Sequence, residues 1–242
     1  MERLGIRIDD IKSAHRRIFL IACAILAAHC LAMVSKYGFG RDYVFGIVPM
    51  FDFYEEGNIP TYFSTINLLL TAGLLHSIAE MVSRTSRRLA IPWRVLAFGF
   101  LFMSIDEFCD ARMIISTMSK ALMNSQNITS VPYFSVAWTV PITAIVILLA
   151  VYFVPFLLRL RKVYLINFAI AGSLFVLATL GLETIEGYHA KETQGVRDFT
   201  FMVYVTIEEI IEIFAIIYFQ HYLIAYMKEN FSDREAMLRR AA

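Results

Sequence analysis

The chain has 242 residues, 58% of them hydrophobic and 18% charged, with a mean hydropathy of +0.61 and a formal net charge of +1. Those proportions exclude an ordinary soluble domain and fit a polytopic membrane protein. A near-neutral charge without any nucleic-acid motif argues against nucleic acid as a partner.

Residues 1–17 are a polar tail carrying Arg3, Arg7, Lys12, Arg16 and Arg17, with Leu4, Ile8 and Ile11 at helical spacing. This pattern predicts a short amphipathic helix at a membrane surface. The first apolar run, 18–34, is long enough to span and ends without a small-residue cleavage pattern, so it is read as retained. A loop over 35–62 carries Asp42, Asp52, Glu55 and Glu56 among aromatics and glycines. The second span, 63–82, ends in Arg84, Arg87 and Arg88. The third covers 93–118, and a polar loop, 119–130, follows it. The fourth, 133–158, holds Pro141 and Pro155 as kink points and closes on Arg159, Arg161 and Lys162. The fifth runs over 163–188, a charged loop occupies 191–198, and the sixth covers 199–226. Residues 227–242 form a charged, amphipathic tail. The cysteines Cys23, Cys30 and Cys109 all lie in apolar runs and read as small buried hydrophobes.

The expected fold is therefore all-α: a polytopic bundle of six transmembrane helices over 18–226, between tails 1–17 and 227–242. Sixteen of the 22 basic residues lie in the two tails and in the loops 83–94 and 159–162. By the positive-inside rule both termini are cytoplasmic. No internal repeat points to an inverted-repeat transporter.

Eight carboxylates interrupt the apolar runs: Asp106, Glu107 and Asp110 in the third span, Glu183 and Glu186 in the fifth, and Glu208, Glu209 and Glu212 in the sixth. Asp106 and Asp110, Glu183 and Glu186, and Glu208 and Glu212 are three or four apart, so each pair shares a helix face. At about 1.5 Å per residue all three groups fall in the middle-to-outer part of the bundle. An unpaired charge at that depth costs about 2.5–3.5 kcal/mol, and the one basic residue in these spans, Arg112, cannot offset eight acids. Either several acids are protonated or bound cations neutralise them. The metal candidates are Asp106, Glu107, Asp110, Glu183, Glu186, His189, Glu208, Glu209 and Glu212, with Arg112 as counter-charge and His76 as a further candidate.

Glu186-x-x-His189 has the Glu-x-x-His spacing of helical-bundle di-iron proteins. The second such unit is absent, and an oxygen-rich set suits Mn, Mg or Ca at least as well as Fe or Zn. A divalent metal ion of undetermined identity is the expected cofactor. The bland reading is that Arg112 pairs with an acid of span five or six and locks helices together. His29 and His221 read as core or interfacial, and the Met and Phe abundance as bundle packing.

The segments Glu56-Gly57-Asn58-Ile59-Pro60-Thr61-Tyr62-Phe63-Ser64, Ser104-Ile105-Asp106-Glu107 and Glu208-Glu209-x-x-Glu212 resemble a family of uncharacterised bacterial multi-span membrane proteins. The family pattern runs Glu-x-Asn-Ile-Pro-Thr, then Ser-x-Asp-Glu with a His-Glu pair after it, then a late Glu-Glu-x-x-Glu. The resemblance covers about residues 40–225 and implies a shared six-span fold in the bacterial inner membrane, without a known activity. Where the pattern expects His-Glu this chain has Arg112-Met113, a fixed cation in place of a candidate ligand. That favours a charge-paired or proton-handling cluster over a catalytic metal centre. The residue before Pro60 is pushed out of the helical region, which makes Thr61 the expected cap of the second span. The loop 52–56 is expected to cover the cluster's mouth.

Three functions stay open. The leading one is an integral inner-membrane protein binding a cation, with a di-metal site as one form, or protons at the carboxylate cluster. If it is an enzyme, metal-activated water is the expected chemistry. The second is a proton-coupled transporter or channel running from Glu186 past Asp106 to His76 and Glu80. The third is a non-catalytic assembly subunit docking on a membrane-protein partner or a second copy of itself. The lipid bilayer is a partner in all three.

Overall fold

The computed structural model describes residues 8–109, 117–118 and 139–232, and every regular element among the described residues is helical. Helix α1, Ile8–Met33, continues through a π-helical turn, Val34–Gly38. A short α2, Ile47–Phe51, lies in the loop before α3, Ile59–Ser83. Then come α4, Arg87–Cys109, and α5, Thr139–Leu157. Helix α6, Lys162–Val176, passes through a π-helical turn, Leu177–Leu182, into α7, Glu183–Glu192. Helix α8, Phe199–Met227, is the longest at 29 residues.

Two boundaries differ from expectation. From residue 8 on, the tail is not a separate surface helix but the start of α1, because no Gly or Pro breaks the chain between residues 8 and 18. The cap of α3 is Asn58, not Thr61. Its Oδ1 accepts the Thr61 N–H at 3.2 Å and the Thr61 hydroxyl at 3.1 Å, with Pro60 in the first turn. The same Asn58 amide donates to Asp52 O at 2.6 Å and Pro49 O at 3.1 Å, tying loop to helix.

Four helical stretches, Asp10–Gly38, Ile59–Ser83, Arg87–Cys109 and Lys162–Glu192, are long and apolar enough to cross a membrane. The apolar part of α5, Pro141–Leu157, is shorter. The chain is thus a helical protein of multi-pass membrane character. Asp110, Arg112, the start of the fourth expected span and parts of both tails lie outside the described residues.

Helix α8 runs through both cores. Its first half packs with Ala22, Ile25, Ala32 and Met33 of α1 and with Val48 and Phe53 of the loop. Its second half packs with Leu75 and Ile78 of α3, Trp93 of α4, and Tyr164 and Phe168 of α6. A buried polar knot joins α8 to α3: Gln220 Nε2 donates to Asn67 Oδ1 and Thr71 Oγ1, both at 2.8 Å. Such a knot sets helix register where lipid offers no competing hydrogen bonds. On the outer faces, Leu31, Phe98 and Leu148 are 70–71% exposed. That apolar exterior suits lipid rather than water.

Candidate functional site

The acids of α7 and α8 meet. Glu186 and Glu208, 8% and 9% exposed, have their carboxyl groups at hydrogen-bond range of one another. Glu212 and Glu183 lie close enough to act on Glu208 electrostatically. Glu208 and Glu212 are one turn apart on α8, and Glu183 and Glu186 one turn apart on α7, so packing the two helices brings Glu186 to Glu208 with the other two farther off. The Oε1 of Glu186 is buried and meets no hydrogen-bond donor among the described residues. An ionised carboxylate only accepts hydrogen bonds, so two that face each other form one only when one of them carries a proton.

The π-helical turn Leu177–Leu182 directly precedes Glu183. Its Thr179 hydroxyl is 2.6 Å from Glu212 Oε1 and 3.0 Å from Phe175 O. One hydroxyl hydrogen faces two acceptors there, and a proton on Glu212 would satisfy both. Inserted turns of this kind recur at functional sites because they re-aim side chains.

The other expected members sit elsewhere. Asp106 and Glu107 are half-buried on α4, a helix that packs along α3. Ser104 beside them donates to Thr65 O at 2.9 Å, closing α4 onto α3. Glu209 is half-buried on α8. His76 is exposed on α3, and Glu80, one turn on, pairs with Arg94 at 2.9 Å; both face outward, away from the buried line of α3. Among the described residues no three His, Cys, Asp or Glu side chains are grouped to hold a metal ion.

His189 binds Asp198 across the α7–α8 turn, Nε2 to Oδ1 at 2.9 Å. The same oxygen accepts the Phe201 N–H at 2.8 Å and so caps α8. The cap holds the Asp198 carboxyl below its ordinary value of 3.8, chiefly through the Phe201 N–H and then through His189. A lowered folded value contributes stability that is complete above the unfolded pKa and disappears as pH falls through the folded one. Wild type is therefore expected to melt above Asp198→Ala at neutral pH, with the gap closing in acid. Paired melting curves across that range check it, and a gap independent of pH would refute the cap's role.

Sequence reasoning did not identify the polar joint that holds the 35–62 loop. His29 is fully buried in α1 and stacks on Phe53, with ring centroids 3.9 Å apart. Its Nε2 is 2.9 Å from Thr206 Oγ1 on α8, and its Nδ1 accepts the Phe53 N–H at 3.2 Å. Asp52, 1% exposed, pairs with Lys36 at 2.7 Å. Farther along, Glu55 lies 3.6 Å from Arg197, whose guanidinium sits 4.1 Å over the Tyr54 ring. The loop is thereby fastened to the α7–α8 turn and to α8 two residues before Glu208. The available signal was polar residues in apolar runs, His29 in span one and Thr206 in span six. Nothing in their spacing links them across 177 residues.

Residues 17–226 match the family described as a domain of unknown function, DUF8692, and the chain belongs to that family. No curated protein and no solved structure matches the chain.

Proposed function

We propose that this DUF8692 protein is a six-span protein of the bacterial inner membrane, with both termini cytoplasmic, in which Glu186 and Glu208 hold one exchangeable proton between α7 and α8. The observation that carries the reading is the buried carboxyl pair, with Glu186 Oε1 meeting no donor among the described residues. With one shared proton the two groups attract through a hydrogen bond. Without it, two like charges sit side by side in a medium of low dielectric and repel. Proton occupancy thus biases the spacing of α7 and α8, and the π-helical turn at Leu177–Leu182 is where α7 can yield. This is the elementary step of a proton-linked membrane protein, and a proton-coupled carrier is the natural form of it.

A divalent cation held by Glu183, Glu186, Glu208 and Glu212 is the competing occupant. The described residues offer no grouped set of three ligands, so the reading commits to the proton. The six-crossing topology rests on the alternation of basic and non-basic loops.

Infrared spectroscopy of the purified protein tests the site. A protonated-carboxyl C=O band that shifts in deuterium oxide is expected in wild type and should lose intensity in the Glu186→Gln, Glu208→Gln double variant. Wild type without that band, or a double variant whose band is undiminished, would sink the reading.

A further inference from the structure

At the end of the bundle opposite the 35–62 loop, α1, α6 and α8 enclose an open cleft of about 580 Å³. Its polar lining is Lys12 and His15 from α1, Tyr164 from α6, and His221, Lys228 and Glu229 from α8 and the turn after it. The single acid is already engaged: Tyr164 donates to one oxygen of Glu229, and Arg161 pairs with the other. Lys12 and Lys228 are exposed and enter no ion pair among the described residues. His15 is fixed by donating Nε2–H to Ile217 O at 2.9 Å, with its ring 5.9 Å from that of His221. Two lysines and two imidazoles therefore surround one cavity whose carboxylate is spoken for.

We propose that this cleft binds a phosphate-bearing anion, and that the anion is the headgroup of an acidic phospholipid. Lysine ammonium groups and the His221 N–H donate to phosphate oxygens, and the two ammonium groups, in no ion pair among the described residues, supply the charge that complements a phosphodiester. Lipid is favoured over a soluble phosphate by position. Ile224 and Ala225 form an apolar wall beside the cations, at the point where the apolar helices α1, α6 and α8 end. Basic pockets between helices on the basic side of a membrane protein take anionic headgroups, while the lysine stems lie along apolar surface. The inference rests on the membrane reading of the chain and not on Glu186 or Glu208, so its failure leaves the carboxyl pair untouched.

The full-length protein, purified and exchanged into phosphatidylcholine alone or mixed with phosphatidylglycerol, tests this by lipid retained per protein in mass spectrometry. Selective retention of phosphatidylglycerol is expected. Lys12→Gln with Lys228→Gln should weaken it about thirtyfold at low salt, from the usual contribution of two basic side chains at an anionic surface. Arginine at both positions should preserve it, and so should Arg84→Gln with Arg87→Gln, an equal charge loss on the exposed α3–α4 turn. Inorganic phosphate alone, binding with the same lysine dependence while phosphatidylglycerol is not retained selectively, would keep the phosphate chemistry and replace the lipid by a soluble anion. Equal retention of both lipids without phosphate binding would overturn the proposal. So would a Lys12, Lys228 variant that binds like wild type, or an Arg84, Arg87 variant that loses as much.

Discussion

Replacing Glu208 by alanine is expected to lower stability by about 2–4 kcal/mol, while glutamine at the same position stays within about 1 kcal/mol of wild type. Alanine removes the carboxyl that faces the buried Glu186 carboxyl and leaves a void between α7 and α8. An orphaned polar group with no water nearby carries the full cost of its desolvation. Glutamine keeps the volume, and its amide donates to the Glu186 carboxylate. The glutamine variant should nevertheless lose proton-linked behaviour, since no exchangeable proton remains between the helices. Unfolding in mild detergent, with alanine and glutamine variants side by side, reads the contrast. Equal losses for the two would mean that side-chain volume, not the carboxyl pair, is what α7 and α8 need.

Trp93→Ala is expected to cost about 3–5 kcal/mol, the largest loss from any single apolar truncation here. Trp93 is 2% exposed and meets three helices besides its own. Its ring lies 5.0 Å from Phe156 of α5, 6.2 Å from Phe168 of α6 and 5.0 Å from Tyr226 of α8, each pair tilted or edge-on. Helix α4 otherwise packs chiefly along α3, and Phe100 on Phe219 is its other ring contact with α8. Removing the indole should therefore loosen α4 and α3 together from the rest. Phe98, 70% exposed on the same helix, is the control, and its alanine variant should change stability by less than about 0.5 kcal/mol. Comparable losses at Trp93 and Phe98 would contradict the packing.

Helix content, four stretches long and apolar enough to cross a membrane, and the start of α8 at Phe199 were legible in the amino-acid order. Long apolar runs and an Asp at the cap position are local properties, and local rules read them. The π-helical turn at Leu177–Leu182 was not legible, because nothing in Leu-Ala-Thr-Leu-Gly-Leu demands an extra residue per turn. Thr179 consequently went unnoticed as a neighbour of Glu212. His189, whose spacing to Glu186 matches a metal-binding unit, is met by Asp198 across the turn that follows, and its imidazole touches the oxygen that caps α8.

The chain by itself determined that eight carboxylates interrupt apolar runs that have few cations to match them. Periodicity also determined that Glu183 and Glu186, and Glu208 and Glu212, would share faces. Only the tertiary structure decided which face meets which. Helical spacing fixes direction around one axis and says nothing about the neighbour across the interface. Packing α7 on α8 brings Glu186 to Glu208, while packing α4 along α3 sets Asp106 and Glu107 on a different helix pair.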